Sequence, residues 1–218
     1  MVSQSLLHFA EYDLQIIALA WLVALYAIKI FQYLRLPSVR EKAPSRGSAS
    51  GGVLHAYGAM FMPWSMESSR KHPWRWLEFA LYHIGAGAAI LNTFTMPFVP
   101  GMMTQTVRVV FAVLIVPAFI AGLFKLARRV TRPEMRAINT PDDYFSLAAV
   151  EVFFASAIVV LVAETPLWRT VYFFITAGFL FYVPFSKISH YIYFLLAATV
   201  TGSRYGWRGV RPQPRRVE

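Results

Sequence analysis

Long blocks of apolar residues constrain this chain more than any other feature of its sequence. A helix of about 20 residues crosses the ~30 Å hydrocarbon core of a bilayer, and five blocks reach that length. Because 57% of the 218 residues are hydrophobic, the chain has too little polar surface for a soluble domain. We predict an all-α integral membrane protein with five transmembrane helices: Leu14–Leu34, Trp76–Phe98, Val107–Leu126, Tyr144–Ala163, and a block from Leu167 through Pro184 that could extend to Thr199.

The lysine and arginine residues predict the orientation of these helices. They cluster between the first two blocks, between the third and fourth, and in the tail, whereas the opposite side carries only Arg108 and Arg169. Cytoplasmic loops of membrane proteins collect basic residues. Five spans with the N-terminus outside and the C-terminus in the cytoplasm therefore place all three clusters on one face. The clusters comprise Arg35, Arg40, Lys42, Arg46, Arg70, Lys71 and Arg75, then Lys125, Arg128, Arg129, Arg132 and Arg136, then Arg204, Arg208, Arg211, Arg215 and Arg216.

This distribution explains the net charge of +10 without a nucleic-acid partner, because a basic face can dock on anionic membrane lipid or on a protein. We expect a membrane domain over residues 1–201 and a basic, irregular cytoplasmic tail over residues 202–218. The run Pro44–Gly52 is rich in glycine, serine and proline, which predicts a flexible segment. No secretory signal pattern is evident, and we expect the protein in the cytoplasmic (inner) membrane.

Cysteine is absent from the chain. The chain itself therefore cannot hold a disulfide, a cysteine-ligated iron–sulfur cluster or a cysteine nucleophile. The sequence also contains no nucleophile–base arrangement and no phosphate-binding loop. We expect no catalytic residues in this chain.

Two of the five histidines lie within the apolar blocks, at comparable depth on the cytoplasmic side. Ionisable groups at membrane depth are costly and mark functional sites. His83 in the second block and His190 late in the fifth could bind a heme iron from both sides, with Gly85 and Gly87 letting the flat macrocycle approach the helix. The alternative is that each imidazole hydrogen-bonds a neighbouring helix. The other histidines are expected at the surface: His8, His55 and His72.

Four motifs follow one another along most of the chain. They are Leu81-Tyr82-His83-Ile84-Gly85 with Pro100 after its helix; Ala127-Arg128-Arg129, Pro133, Arg136-Ala137, Thr140 and Asp142 or Asp143; Pro184-Phe185-Ser186-Lys187 through His190; and Arg204-Tyr205 through Val210-Arg211. Together and in this order they resemble the membrane cytochrome b (gamma) subunit of respiratory nitrate reductase and its relatives. Those relatives include the membrane subunits of heterodisulfide-reductase-like and sulfite-reduction-associated complexes.

The resemblance implies an electron-transfer subunit with a low-spin heme b. His83 and His190 would be the axial ligands of the heme iron, and Gly85 and Gly87 would pack against the macrocycle. The implied substrate is quinone or menaquinone. The implied partners are iron–sulfur subunits on the cytoplasmic face of a respiratory oxidoreductase complex.

The chain departs from the nitrate reductase members at their second, outer heme. Its ligands would lie ten residues after His83 and eighteen before His190, where this chain has Thr93 and Tyr172. The resemblance therefore implies a relative with a single heme. Arg108 lies near the place where the family has a basic quinone contact.

Two other functions stay open. The chain could be a heme-free membrane anchor, or a small transporter with Glu151, Pro117 and Pro184 as its working parts. The absence of inverted-repeat symmetry in the sequence argues against a transporter. The position of Glu151 inside the fourth block is compatible with a proton path and with a hydrogen bond that pairs two helices.

Overall fold

The computed structural model describes residues 2–37, 44–65 and 67–210. The chain is all-α over these ranges, with no β-strand among them. Short 3₁₀ turns occur at Pro100–Met102, Val183–Phe185 and Lys187–Ser189. The helices are α1 (Gln4–Leu34, with a π-helical turn over Phe9–Asp13), α2 (Ala49–Met60), α3 (Glu67–Lys71), α4 (Pro73–Phe98), α5 (Gln105–Thr131), α6 (Pro133–Ile138), α7 (Pro141–Ala163), α8 (Pro166–Tyr182) and α9 (His190–Trp207).

Threonine–proline pairs determine where two long helices begin. Thr140 caps α7 and Thr165 caps α8, and each is followed by proline at the first helical position. Proline has no N–H to leave unpaired there, and a threonine side chain accepts a backbone N–H of the first turn. Thr140 and Asp143 form a capping box at the start of α7, in which the Asp143 carboxylate accepts a hydrogen bond from the backbone N–H of Thr140 at 2.8 Å. The helix therefore starts earlier than the predicted Tyr144.

Within the described ranges, four helical segments are long and apolar enough to cross a membrane: Gln4–Leu34, Gln105–Thr131, Pro141–Ala163 and Pro166–Phe185. They expose large apolar side chains such as Val162, which is 78% exposed, and Phe124, which is 67% exposed. An apolar surface of this extent suits lipid rather than water. The length and apolar composition of these four helices indicate a membrane protein.

Helix α4 corresponds to the second predicted span and is not among those four segments. Its 26 residues are enough to cross a bilayer. Polar side chains within it, including Glu78, His83 and Asn92, lower its mean hydropathy. Four of the five predicted spans therefore correspond to helices that are apolar enough to cross a membrane. The predicted span that does not meet this hydropathy criterion is α4.

The chain forms two compact units. The first comprises Met1–Tyr33 and Glu78–Ile188, and the second comprises Leu34–Leu77 and Ser189–Glu218. Helix α7 is the most buried candidate span of the first unit. In its most apolar 18-residue stretch 56% is buried, compared with 17% in the corresponding stretch of α1. The aromatic core lies along α7, where Phe153 stacks on Phe179 with ring centroids 5.3 Å apart.

The first unit has two polar ends, and the helices alternate in direction between them. At the Arg108 end, the starts of α1, α5 and α8 meet the ends of α4 and α7. At the Arg128 end, the starts of α4 and α7 meet the ends of α5 and α8. The contacts at the Arg108 end are Tyr12 to the Pro97 carbonyl (2.9 Å), Glu11 to Arg169, and Arg108 to Glu164. Those at the Arg128 end are Glu78 to Arg128 (3.0 Å), Asp143 to Arg129 (3.5 Å) and to Lys187 (2.5 Å), and Tyr182 to Asp142 (2.5 Å).

The second unit is built on close contact between α2 and α9. A methyl group on Gly52 would lie 2.7 Å from the backbone nitrogen of Gly206, so glycine is required where the two helices approach. The Tyr57 hydroxyl adds a 3.0 Å hydrogen bond to the Leu195 carbonyl. The pair is closed at one end by the Arg46 N–H, which donates to the Trp207 carbonyl at 2.9 Å.

The second unit corrects three sequence predictions. The flexible run Pro44–Gly52 enters a helix at Ala49. The fifth helix does not continue to Thr199, because α8 ends at Tyr182 and α9 begins anew at His190. The tail is helical from Gly202 to Trp207, so the predicted boundary between residues 201 and 202 falls inside α9. Several basic residues of the charge argument lie outside the described residues: Arg40, Lys42, Arg211, Arg215 and Arg216.

Candidate functional site

His83 lies on an exposed face of α4 near the Arg128 end. Its Nδ1 donates a hydrogen bond to the Phe79 carbonyl one turn earlier, at 2.8 Å, and its ring packs on the Phe79 ring with centroids 4.0 Å apart. A histidine that binds a metal usually uses its other ring N–H in this way, which fixes the tautomer and the ring orientation. A metal at His83 would therefore be bound through Nε2.

The two glycines after His83 have different surroundings. Gly87 lies one turn beyond His83 on the same face, and a methyl group there would have nothing within 4 Å. Gly85 faces the interior instead, where a methyl group would overlap Ala118 and lie 2.9 Å from the Leu114 carbonyl. Gly87 thus leaves room for a flat ligand beside His83. Gly85 allows α4 to pack closely on α5.

His190 is the exposed first residue of α9 and belongs to the second unit, whereas His83 belongs to the first. The turn that precedes His190 is anchored within the first unit, because the Lys187 N–H donates to the Asp142 carboxylate at 3.0 Å. That the two imidazoles share one iron stays a prediction. Among the described residues, no three histidine, aspartate or glutamate side chains cluster as ligands for a free metal ion.

The side chains of Thr93 and Tyr172 touch each other directly. Their hydroxyl oxygens lie 2.6 Å apart, and Asn92 lies 3.4 Å from the same tyrosine oxygen. Tyr172 is fully buried and Thr93 is 7% exposed. The two positions where an outer heme would find its ligands are therefore joined by a hydrogen bond, with no space for a macrocycle between them.

A cavity of about 90 Å³ opens at the Arg108 end of the first unit. It combines charged groups with apolar walls: its lining residues are Met96, Pro100, Met103, Arg108, Val160, Leu161, Glu164 and Arg169. Arg108 is held by Glu164 and by the Met103 carbonyl, which accepts from Nε at 3.0 Å. A wider groove of about 320 Å³ between α7 and α8 is lined mainly by apolar side chains.

Arg169 is a second cation at this cavity, for which the sequence predicted no functional role. It forms an ion pair with Glu11, which is only 4% exposed. Within the described part of the chain, the buried Nε of Arg169 has no hydrogen-bond partner. A buried donor without a partner is costly, so a ligand carbonyl or carboxylate at this place would be favoured. The signal in the sequence was present but weak: Arg108 and Arg169 are the only basic residues predicted on this side.

Comparisons with known proteins give one relative of note. No protein-family model matches the chain. A protein of Nitratidesulfovibrio vulgaris (strain Hildenborough), described only as "Protein", is 26% identical over 169 residues, which cover 71% of this chain and 71% of the relative. That description names no cofactor, activity or partner.

Proposed function

We propose that this chain is the heme b membrane subunit of a respiratory oxidoreductase complex, where it relays electrons between the quinone pool and an iron–sulfur partner. The observation that carries the proposal is His83, whose Nδ1 is bonded to its own helix beside the open face at Gly87. When bound, the heme would supply one-electron redox chemistry. The Phe79 carbonyl would orient the ligand nitrogen of His83, and the space at Gly87 would admit the edge of the macrocycle.

The proposal includes His190 as the second axial ligand, on the strength of the sequence motif Pro184-Phe185-Ser186-Lys187 through His190. It also includes a single heme per chain. The direct hydrogen bond between Thr93 and Tyr172 supports that number, because neither side chain is a usual heme ligand and the pair fills the intervening space.

We further propose five membrane spans, with α4 as the fifth, the N-terminus outside and the C-terminus in the cytoplasm. The alternation of helix directions in the first unit supports this topology, since α4 runs from the Arg128 end to the Arg108 end. The Arg128 end would then face the cytoplasm, in the inner membrane. Its exposed cations, such as Arg132, offer a docking surface for an iron–sulfur subunit or anionic lipid.

Loss of heme from His83→Ala and His190→Ala tests the proposal. We expect about one low-spin heme b per wild-type chain in a pyridine hemochrome assay, and none in either variant, because bis-histidine ligation needs both nitrogens. Gly87→Leu should also lose heme by filling the open face. His72→Ala, at an exposed histidine outside the motifs, is the matched control and should keep the full spectrum. A heme-free wild type, purified after growth with ample heme, would support a membrane anchor instead.

A second prediction concerns the Arg108 cavity as the place where the quinone head group binds. Arg108→Gln should weaken binding of a short-chain menaquinone analogue by roughly tenfold, about the contribution of one charge-assisted hydrogen bond. Binding can be measured by quenching of tryptophan fluorescence in detergent. Arg132→Gln, at the opposite end and exposed, is the control. Equal affinity for both variants would place the quinone elsewhere.

A further inference from the structure

Glu151 is a buried carboxyl group in the middle of α7. Its side chain is only 5% exposed. Because the apolar part of α7 begins at Tyr144, a rise of 1.5 Å per residue places Glu151 about 10 Å into it, roughly a third of the way across a ~30 Å hydrocarbon core. Carboxyl groups at this depth are rare and are retained for function.

Neither carboxyl oxygen of Glu151 has a hydrogen-bond partner among the residues that the structure describes. The group nearest to it that can donate is the Tyr82 hydroxyl of α4, so a weak link between the two helices accompanies the burial of this carboxyl group. A buried, ionised carboxylate without hydrogen bonds is strongly disfavoured, whereas the protonated acid is tolerated.

The neighbouring helix makes room for this carboxyl group. Gly122 of α5 lies against it, and a methyl group at Gly122 would overlap both the Oε1 and the Cδ of Glu151. Any other side chain at position 122 would displace the carboxyl group. The glycine at position 122 thus makes space for the Glu151 carboxyl group between α5 and α7. An apolar residue at position 151 would be buried there at a lower free-energy cost than glutamate.

Polar groups lead from Glu151 toward one end of the unit. Tyr82 of α4 and Lys125 of α5 face it, and the Lys125 ammonium lies 4.0 Å from the centre of the Tyr82 ring. Beyond Lys125 lie Glu78 of α4 with Arg128 and Arg129 of α5. Toward the Arg108 end the same helix buries Phe154, Ala157 and Val160.

We propose that Glu151 is a proton-binding site inside the membrane, and that its proton exchanges with water at the Arg128 end past Lys125. The geometry supports access from one side, because charged groups lie between Glu151 and the Arg128 end. On the other side α7 buries apolar side chains, and the uncharged Asn92, Thr93 and Tyr172 are hydrogen-bonded to one another. The ligand of this site is a proton, so the site is independent of whether the chain binds heme.

Infrared difference spectroscopy of the full chain in detergent tests the proposal. We expect a carbonyl-stretch band of a protonated carboxylic acid at neutral pH, which shifts in deuterated buffer and is lost in Glu151→Gln. Carboxyl-¹³C labelling of glutamate should shift the same band in the wild type, which keeps the test valid if the variant does not fold. A wild-type spectrum without that band, or a band unchanged by the label, would overturn the proposal.

The route is tested by the rate at which the band shifts after transfer to deuterated buffer. Lys125→Met should slow the shift roughly a hundredfold, the lower range for loss of a positioned proton-transfer group. Thr93→Val, which lies toward the Arg108 end on α4, should leave the rate unchanged. A slowed shift in Thr93→Val with a normal rate in Lys125→Met would show that the proton enters from the opposite end.

Discussion

Glu11→Ala should destabilise the first unit more than any other single substitution at its Arg108 end. The carboxylate is buried in the π-helical turn of α1, and its removal leaves the Arg169 guanidinium without a counter-charge. Breaking a fully buried ion pair from one side costs about 3–5 kcal/mol. Because the Arg169 side chain is 33% exposed and water can partly solvate it, we expect a loss near the lower value, about 3 kcal/mol. The free energy of unfolding in mixed micelles, followed by circular dichroism, measures the loss.

The exposed pair of His8 and Asp13 on the same helix provides the control. Its atoms lie 3.7 Å apart with side chains more than half exposed, so Asp13→Ala should change stability by less than about 1 kcal/mol. The double variant Glu11→Leu with Arg169→Met should recover most of the stability, since both charges are then removed together. Equal losses for Glu11→Ala and Asp13→Ala would mean that Glu11 is not in a buried pair.

Gly52→Ala should separate α2 from α9 in the second unit. The new methyl group meets backbone atoms of Gly202 and Gly206, which cannot move aside as a flexible side chain could. Overpacking of this kind costs about 1–3 kcal/mol, and a backbone contact places the expected loss near the upper value. A lower thermal midpoint in detergent and faster proteolysis within α9 would report it.

Gly58→Ala is a matched substitution on the same helix. A methyl group at Gly58 has nothing within 4 Å, and both variants gain the same helix propensity, roughly 1 kcal/mol for alanine over glycine. Gly58→Ala should therefore be neutral or stabilising. If the two variants melt together, the close approach of α2 and α9 is wrong.

The positions of the long helices were predictable because apolar blocks of membrane length leave few alternatives. Helix α2 was not, because its Gly51, Gly52 and Gly58 have poor helix propensity and are typical of flexible segments. The helix is stabilised by its contact with α9, which brings together residues far apart in the sequence. The end of the fifth helix, predicted at Pro184 with a possible extension to Thr199, stayed open for a similar reason. Apolar residues resume at Tyr191, and the Asp142 carboxylate that holds the intervening turn comes from another helix.

Only part of the candidate site could be proposed from the sequence. His83 stood out as an ionisable residue in an apolar block, and Arg108 as a cation on the side with few charges. Glu164 and Arg169 join Arg108 only through tertiary contacts that no spacing along the chain reveals. The sequence predicts one role, packing against the heme, for both Gly85 and Gly87. Only the packing of α5, which covers Gly85 and leaves Gly87 open, distinguishes the two positions.

If the chain carries a single heme at His83, as proposed, the hydrogen bond between Thr93 and Tyr172 has a kinetic consequence. Met96 at the Arg108 cavity lies thirteen residues after His83 on α4, which corresponds to about 20 Å along a helix. Where a second heme would shorten the path, this chain has Thr93 and Tyr172 in place of heme ligands. With the quinone at that cavity and the heme at His83, as proposed, the electron would cross this distance without an intermediate cofactor. We then expect this transfer, not quinone binding, to limit turnover.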